Sequence, residues 1–246
     1  MITNSFGPAT GKPVLFLHGG GVAGWMWTSL CRSLETRHRV LVPDLPGHGE
    51  SSSEPYVSYA ATIEALADML VTGNRRPVAV IGFSLGAQLA IELAAMHPEL
   101  VDRIMVVSAQ AKPLPLVKPT LALLGLAAPL ARRRWFARLQ ARELFIPEDL
   151  MEAYIATSAG IGKETLLAAV EANLRFMLPE KFSDFPGRAI VLVGARERAV
   201  MRDSALAIHA ELPGSELELV PGCGHGIPLQ RPDWFNACAL AWLSRP

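Results

Sequence analysis

Pro77-Val78-Ala79-Val80-Ile81-Gly82-Phe83-Ser84-Leu85-Gly86-Ala87-Gln88-Leu89-Ala90-Ile91 is the stretch on which the rest of the chain is hung. Residues 77–81 form a short continuous apolar run rich in β-branched side chains, as in a strand buried on both faces of a parallel sheet. Residues 87–97 have high helix propensity, and Pro98 stops them. Gly82-Phe83-Ser84-Leu85-Gly86 thus falls where a strand turns sharply into a helix. Small flanking residues let strand and helix approach closely, and the turn pushes the Ser84 hydroxyl out over the carboxyl edge of the sheet. The next amide, Leu85 N–H, points the same way from a helix start, where free donors and the dipole favour negative charge. One turn supplies a nucleophile and half of an oxyanion hole. A glycine-rich turn that only packs is the alternative, and the remaining chain decides between them.

Upstream, Pro13–Leu17 is a strong strand followed by His18-Gly19-Gly20-Gly21. Three glycines let backbone amides come close to a bound group, which suits a second oxyanion donor. A phosphate loop is the rival, but neither G-x-x-x-x-G-K-S/T nor G-x-G-x-x-G opens a helix here. Trp25 and Trp27 follow as a helix entry, with a pocket wall as the sharper reading of Trp25 and packing as the plain one. Arg39–Pro43 is a second strand, ending in Asp44-Leu45-Pro46-Gly47-His48-Gly49-Glu50-Ser51. Asp44 and His48, four apart in a turn, read as side chains that hold the loop. Tyr59–Leu70 reads as an amphipathic helix with Ser58 as its cap.

Downstream of the strand Arg103–Ser108 the alternation of strand and helix breaks. From 110 to 185 the chain is rich in Ala and Leu and punctuated by prolines, so it reads as a helical cap inserted over the carboxyl edge of the sheet. The expected organisation is a core of 1–109 and 186–246 with a cap of 110–185. Arg132-Arg133-Arg134 within it reads as a solvated basic face, with a site for an acidic substrate tail as the alternative. Strand order resumes at Arg188–Gly194. The loop containing Glu197, a helix from Asp203 to Leu212, a strand from Glu216 to Val220 and the turn Pro221-Gly222-Cys223-Gly224-His225-Gly226 follow. A helix from Trp234 to Leu243 closes the chain.

The totals exclude several classes. Lys+Arg and Asp+Glu are equal at 23 each, so neither a nucleic-acid nor a polyanionic partner is expected. The N-terminal residues lack a basic region before an apolar run, so no signal peptide is expected. The most apolar stretch, Leu114–Leu130, is broken by Lys118 and three prolines, so no membrane partner is expected either. Cys31, Cys223 and Cys238 lack paired or metal-type spacing, which leads us to expect reduced thiols and a cytoplasmic location; no metal or cofactor is expected.

Ser84, Glu197 and His225 occupy three strand-end loops in the order nucleophile, acid, histidine, and in a parallel sheet those ends share one edge. A hydroxyl needs a base to take its proton, the base needs its other nitrogen held by a carboxylate, and the developing oxyanion needs fixed N–H donors. Asp203, read as a charge at a helix start, and Asp44, already needed by its loop, are rivals to Glu197 as the acid.

With His18-Gly19-Gly20, Asp44–Ser51, Gly82-Phe83-Ser84-Leu85-Gly86 and Gly224-His225, the chain resembles the α/β-hydrolase superfamily over nearly its whole length. The resemblance implies an α/β-hydrolase fold of about six or seven mostly parallel strands with helices on both faces. It implies Ser84 as nucleophile, His225 as base, and the amides of Gly20 and Leu85 as oxyanion hole; Gly19, Gly21, Trp25 and Phe83 are expected around the substrate. Glu197 stands where relatives often place Asp, and the N-terminal hairpin common among them is expected to be shortened or absent. The family includes esterases, lactonases, thioesterases, C–C bond hydrolases, dehalogenases and cofactor-free haloperoxidases. Serine at the nucleophile position argues against aspartyl-ester chemistry. The expectation is a serine esterase for small or medium esters or lactones. A C–C hydrolase or thioesterase, or a slow-turnover ligand receptor on the same fold, stays open.

Overall fold

The computed structural model describes residues 1–73 and 76–245. In chain order the elements of the first half are β1 (Thr3–Phe6), β2 (Lys12–Leu17), α1 (Thr28–Leu34), β3 (His38–Pro43), α2 (Tyr59–Gly73), β4 (Val78–Phe83), α3 (Leu85–Met96) and β5 (Val101–Val107). Four helices follow without a strand: α4 (Val117–Ala127), α5 (Arg134–Glu143), α6 (Met151–Gly160) and α7 (Lys163–Arg175). The chain then returns to the sheet with β6 (Arg188–Gly194), α8 (Ala199–Glu211), β7 (Glu216–Val220), the single turn α9 (Ile227–Gln230) and α10 (Pro232–Ser244). The seven strands lie in the order β1-β3-β2-β4-β5-β6-β7, all parallel except β1, which runs antiparallel to β3.

Period-two alternation explains why the central strands read as unbroken apolar runs. Leu15, Val80, Ile104 and Val191 face one layer, which is closed by Ile63 and Leu66 of α2, Leu89 and Leu93 of α3, and Ile208 of α8. Phe16, Ile81, Met105 and Leu192 face the other, closed by Leu30 and Leu34 of α1 and Phe235 and Trp242 of α10. Both faces of each central strand are therefore dry, as a parallel sheet between helix layers requires. Ser58 accepts the Ala61 amide at 3.1 Å and caps α2 as its position suggests.

One short strand lies outside the runs read from the sequence, within the six or seven expected, and one helix starts earlier than expected. β1 is present as a four-residue edge strand, held by β3 and by the Asp44 amide donating to Ile2 O at 2.9 Å. Its Thr-Asn-Ser-Phe sequence carries no apolar run, so only pairing reveals it. Helix α8 begins at Ala199, four residues before Asp203, which places Asp203 in the second turn and exposed instead of at the cap.

The turn from β4 to α3 depends on its glycines. A Cβ on Gly86 would lie 2.2 Å from Leu17 O, and one on Gly82 would lie 2.3 Å from Gly86 O. Neither backbone oxygen can swing aside. Gly86→Ala is therefore expected to cost about 3 kcal/mol or more, the upper range for overpacking a core. Urea unfolding checks this, and a midpoint like that of the wild type would show that β2 and α3 can separate.

Candidate active site

Ser84 follows the last residue of β4 and precedes the first of α3, with φ 53° and ψ −114°. The left-handed region is costly for a residue with a Cβ, and the surrounding packing imposes it here. Its amide donates to Val107 O at 2.9 Å, which ties the turn to the end of β5. The strained turn presents the hydroxyl to His225, whose Nε2 lies 3.0 Å from Ser84 Oγ. On the other side of the ring His225 Nδ1 lies 2.9 Å from Glu197 Oε2. A carboxylate can only accept, so Nδ1 carries the proton and Nε2 is left to accept from the serine.

Glu197 is fixed by more than the histidine. Its Oε1 accepts from Ser108 Oγ at 2.7 Å and from the Gly194 amide at 3.0 Å. Burial pushes this carboxyl up. The hydrogen bond and charge of His225, with the hydrogen bonds from Ser108 and the Gly194 amide, outweigh burial and hold it below its ordinary value. Glu197 is thus a carboxylate at neutral pH. Ser108 follows the last residue of β5, beside the Ser84 turn, in a left-handed conformation of φ 54°. Sequence reading assigned it no part. A lone serine at a strand end carries no signal until the neighbouring strand is known.

A cavity of about 430 Å³ lies on Ser84. The core contributes Gly20, Gly21, His48 and Leu85 to its wall. The inserted helices contribute a largely apolar wall, including Leu124, Ala127, Ala131, Phe136 and Ala169. Gly20 and Leu85 thus border the same space as Ser84, and Leu85 is the first residue of α3, whose opening amides have no intrahelical acceptor.

The other expected substrate contacts, Phe83, Gly19 and Trp25, do not line this cavity. Phe83 is buried beneath the site, with its ring centroid 5.1 Å from that of His225. Gly19 packs on that phenyl ring, where a Cβ would come within 2.8 Å of it. Trp25 is turned toward α6: its indole N–H donates to Thr157 Oγ1 at 3.0 Å and its ring meets Tyr154 edge-on. It fastens the inserted helices to the core and is not among the lining residues. Asp44 holds its loop, accepting from the Gly24 and Glu50 amides at 2.6 and 2.7 Å. Arg134 pairs with Glu152 and Arg138 with Glu148 on the outer surface, so the basic run does not border the cavity.

Two buried polar groups frame the site. Gln88, one turn beyond Ser84, accepts at Oε1 from Asn173 Nδ2 of α7 at 2.8 Å and from Tyr59 OH, while its Nε2 donates to Gln110 O at 2.8 Å. This network ties α7 to the nucleophile helix. His18 is fully buried. The Leu45 amide donates to its Nε2 at 2.9 Å, so Nδ1 donates to Gly19 O at 2.8 Å and orients the glycine loop. Burial, then the neighbouring His48, lower its pKa to about 3 against the hydrogen bond to Gly19.

That depression fixes a sign. Between about 6.5 and about 3 the unfolded chain binds a proton at His18 that the folded chain refuses. Stability from this group is therefore complete above about pH 6.5 and falls by about 1.4 kcal/mol for each unit of acidification below it. His18→Gln keeps an acceptor for the Leu45 amide and removes the ionisation. Its urea midpoints at pH 7 and pH 5 are expected to converge relative to the wild type, and equal pH slopes would show that His18 protonates in place.

The sequence profile of the alpha/beta hydrolase family matches residues 14–237. The chain is 29% identical over 258 aligned positions to the magnesium-chelatase 30 kDa subunit of Rhodobacter capsulatus, covering 96% of this chain and 88% of that protein. Among solved structures it is similar to an esterase from Exiguobacterium antarcticum, with TM-score 0.85, 19% identity, and 99% and 95% of the two chains covered. The enol-lactonase from Burkholderia xenovorans LB400 gives TM-score 0.84 at 17% identity, covering 99% and 96%. With the family profile matched from β2 to α10, the chain belongs to the alpha/beta hydrolase family.

Proposed function

We propose that the protein is a serine hydrolase of neutral carboxylic esters, lactones included, working through an acyl-enzyme. The observation that carries this reading is the unbroken chain Ser84 Oγ–His225–Glu197 at 3.0 and 2.9 Å, launched from a strained turn at the head of a helix. His225 Nε2 accepts the Ser84 proton as Oγ bonds to the ester carbonyl carbon. The carbonyl oxygen becomes an oxyanion facing the amides of Gly20 and Leu85. Protonated His225 then gives its proton to the departing alkoxide. In the second half His225 deprotonates a water, which attacks the acyl-enzyme, and Ser84 leaves with the proton restored. Glu197 stays ionised throughout and holds the Nδ1–H tautomer that the first step requires. The helices from 110 to 185 serve as the cap that closes this space.

The cavity wall narrows the substrate. Glu143 is the one acidic side chain among its described lining residues, and neither Lys nor Arg lines it. A carboxylate on the substrate would meet like charge in a largely apolar space, so neutral esters are expected to outrun anionic ones of equal length by about tenfold or more in kcat/KM. The test compares p-nitrophenyl butyrate with the p-nitrophenyl monoester of succinate. A burst followed by steady turnover on butyrate is expected. Absence of turnover across esters and lactones of graded length would remove the hydrolase reading, and equal rates on the two esters would remove the selectivity.

A further inference from the structure

Helix α4 is apolar on both sides. Leu124 and Ala127 face inward and line the cavity over Ser84. Leu123 and Leu126 face outward at 69% and 80% exposure, and none of the helix's residues is buried. From Pro119 to Ala131 the one polar side chain is Thr120. A helix apolar all round is ordinarily buried, and contiguous exposed leucines mark a contact surface. Cations bracket the run: Lys118 precedes it, Arg132 and Arg133 follow it, and all three are exposed. Trp135, 61% exposed, comes next in the first turn of α5. Glu152 and Glu148 are paired, with Arg134 and Arg138.

The charges select the occupant. In a symmetric pair of such faces, antiparallel helices set Lys118 against Arg132 and Arg133 of the second copy, and parallel helices stack identical cations. Either way like charges meet. Leucines and a tryptophan flanked by Lys and Arg suit a surface with an apolar interior and anionic headgroups.

We propose that the outer face of α4 docks on an anionic lipid bilayer, with Leu123 and Leu126 at the acyl boundary and Lys118, Arg132 and Arg133 against headgroup phosphates. No helix among the described residues is long and apolar enough to cross a membrane, so the contact is peripheral. The sequence led us to expect no membrane partner because this stretch is too broken to span. Lying in the interface requires only one apolar face. On the ester-hydrolase reading the same helix then stands between the bilayer and the cavity, within reach of membrane-dissolved apolar esters. Docking itself does not rest on that reading.

Co-sedimentation with vesicles of ether-linked lipids tests docking without any ester to cleave. Wild-type protein is expected to pellet with dialkyl phosphatidylcholine vesicles containing about 30 mol% dialkyl phosphatidylglycerol, and to be released at high salt. The Leu123→Asp/Leu126→Asp and Arg132→Glu/Arg133→Glu pairs change exposed side chains, so both variants are expected to melt like the wild type. Each pair is expected to lower the partition coefficient about tenfold or more. Wild type that stays in the supernatant, or partitions equally into neutral vesicles, overturns the proposal, as do variants that bind like the wild type. A dimer in light scattering that Leu126→Asp abolishes, in a protein that ignores vesicles, assigns the face to self-association instead.

Discussion

Ser84→Ala is expected to lose about 10⁴-fold or more of kcat/KM toward p-nitrophenyl butyrate, because it deletes the atom that bonds to the acyl carbon. The fold is expected to tolerate the change. Ser84 Oγ bonds to His225 Nε2, and alanine keeps the same left-handed backbone at φ 53° with the same Cβ. The variant is therefore expected to unfold within about 1 kcal/mol of the wild type. Ser84→Gly separates chemistry from strain: it is equally inactive and is expected to be about 1 kcal/mol more stable than Ser84→Ala, since glycine occupies this region without penalty. An alkyl phosphonate is expected to label the wild type at Ser84 and neither variant. Turnover retained in Ser84→Ala would end the serine-hydrolase reading, and a glycine variant no more stable than alanine would show the turn to be unstrained.

What could be read from the chain, and what could not, follows from where each signal resides. The strand at 78–83 and the turn at Ser84 were legible because both faces of the strand are buried and because the glycines at 82 and 86 answer to backbone contacts. Those demands are local. The wall of the cavity was not legible. Helix α4 has apolar residues inside and out, so no periodicity marks which side meets Ser84. Trp25 was expected at a pocket wall, yet its partner Thr157 lies 132 residues away, and nothing in the tryptophan's own surroundings names it. Ser108 and Asn173 were missed for the same reason. Each acts through a neighbour brought up by the tertiary fold, Glu197 in one case and Gln88 in the other. β1 was missed because an edge strand of polar residues is defined by its partner alone.

Glu197→Gln is expected to lower kcat by about 10³–10⁴-fold with little change in KM, and the reason lies in the donors around the carboxylate. Ser108 Oγ–H and the Gly194 amide both donate to Oε1 at 2.7 and 3.0 Å. The Gly194 N–H can only donate, so in glutamine the carbonyl oxygen takes the Oε1 position and the amide nitrogen faces His225 Nδ1. A donor there forces the ring to present a bare Nδ1, which moves its proton to Nε2. The tautomer that accepts from Ser84 is thereby lost although every heavy atom stays in place. Asp203→Asn is the control. Asp203 is exposed in the second turn of α8, beyond the first turn where a carboxylate would favour the helix start. Its replacement is expected to leave kcat unchanged and stability within about 0.5 kcal/mol. Glu197→Asp tests reach: one methylene shorter, it keeps the charge but cannot hold the Gly194 amide and His225 together, so an intermediate loss is expected. The three variants assayed side by side for kcat and thermal midpoint decide the acid. A large kcat loss in Asp203→Asn beside an active Glu197→Gln would transfer the role to Asp203 and leave the Ser108–Glu197–Gly194 cluster as a brace for the loop.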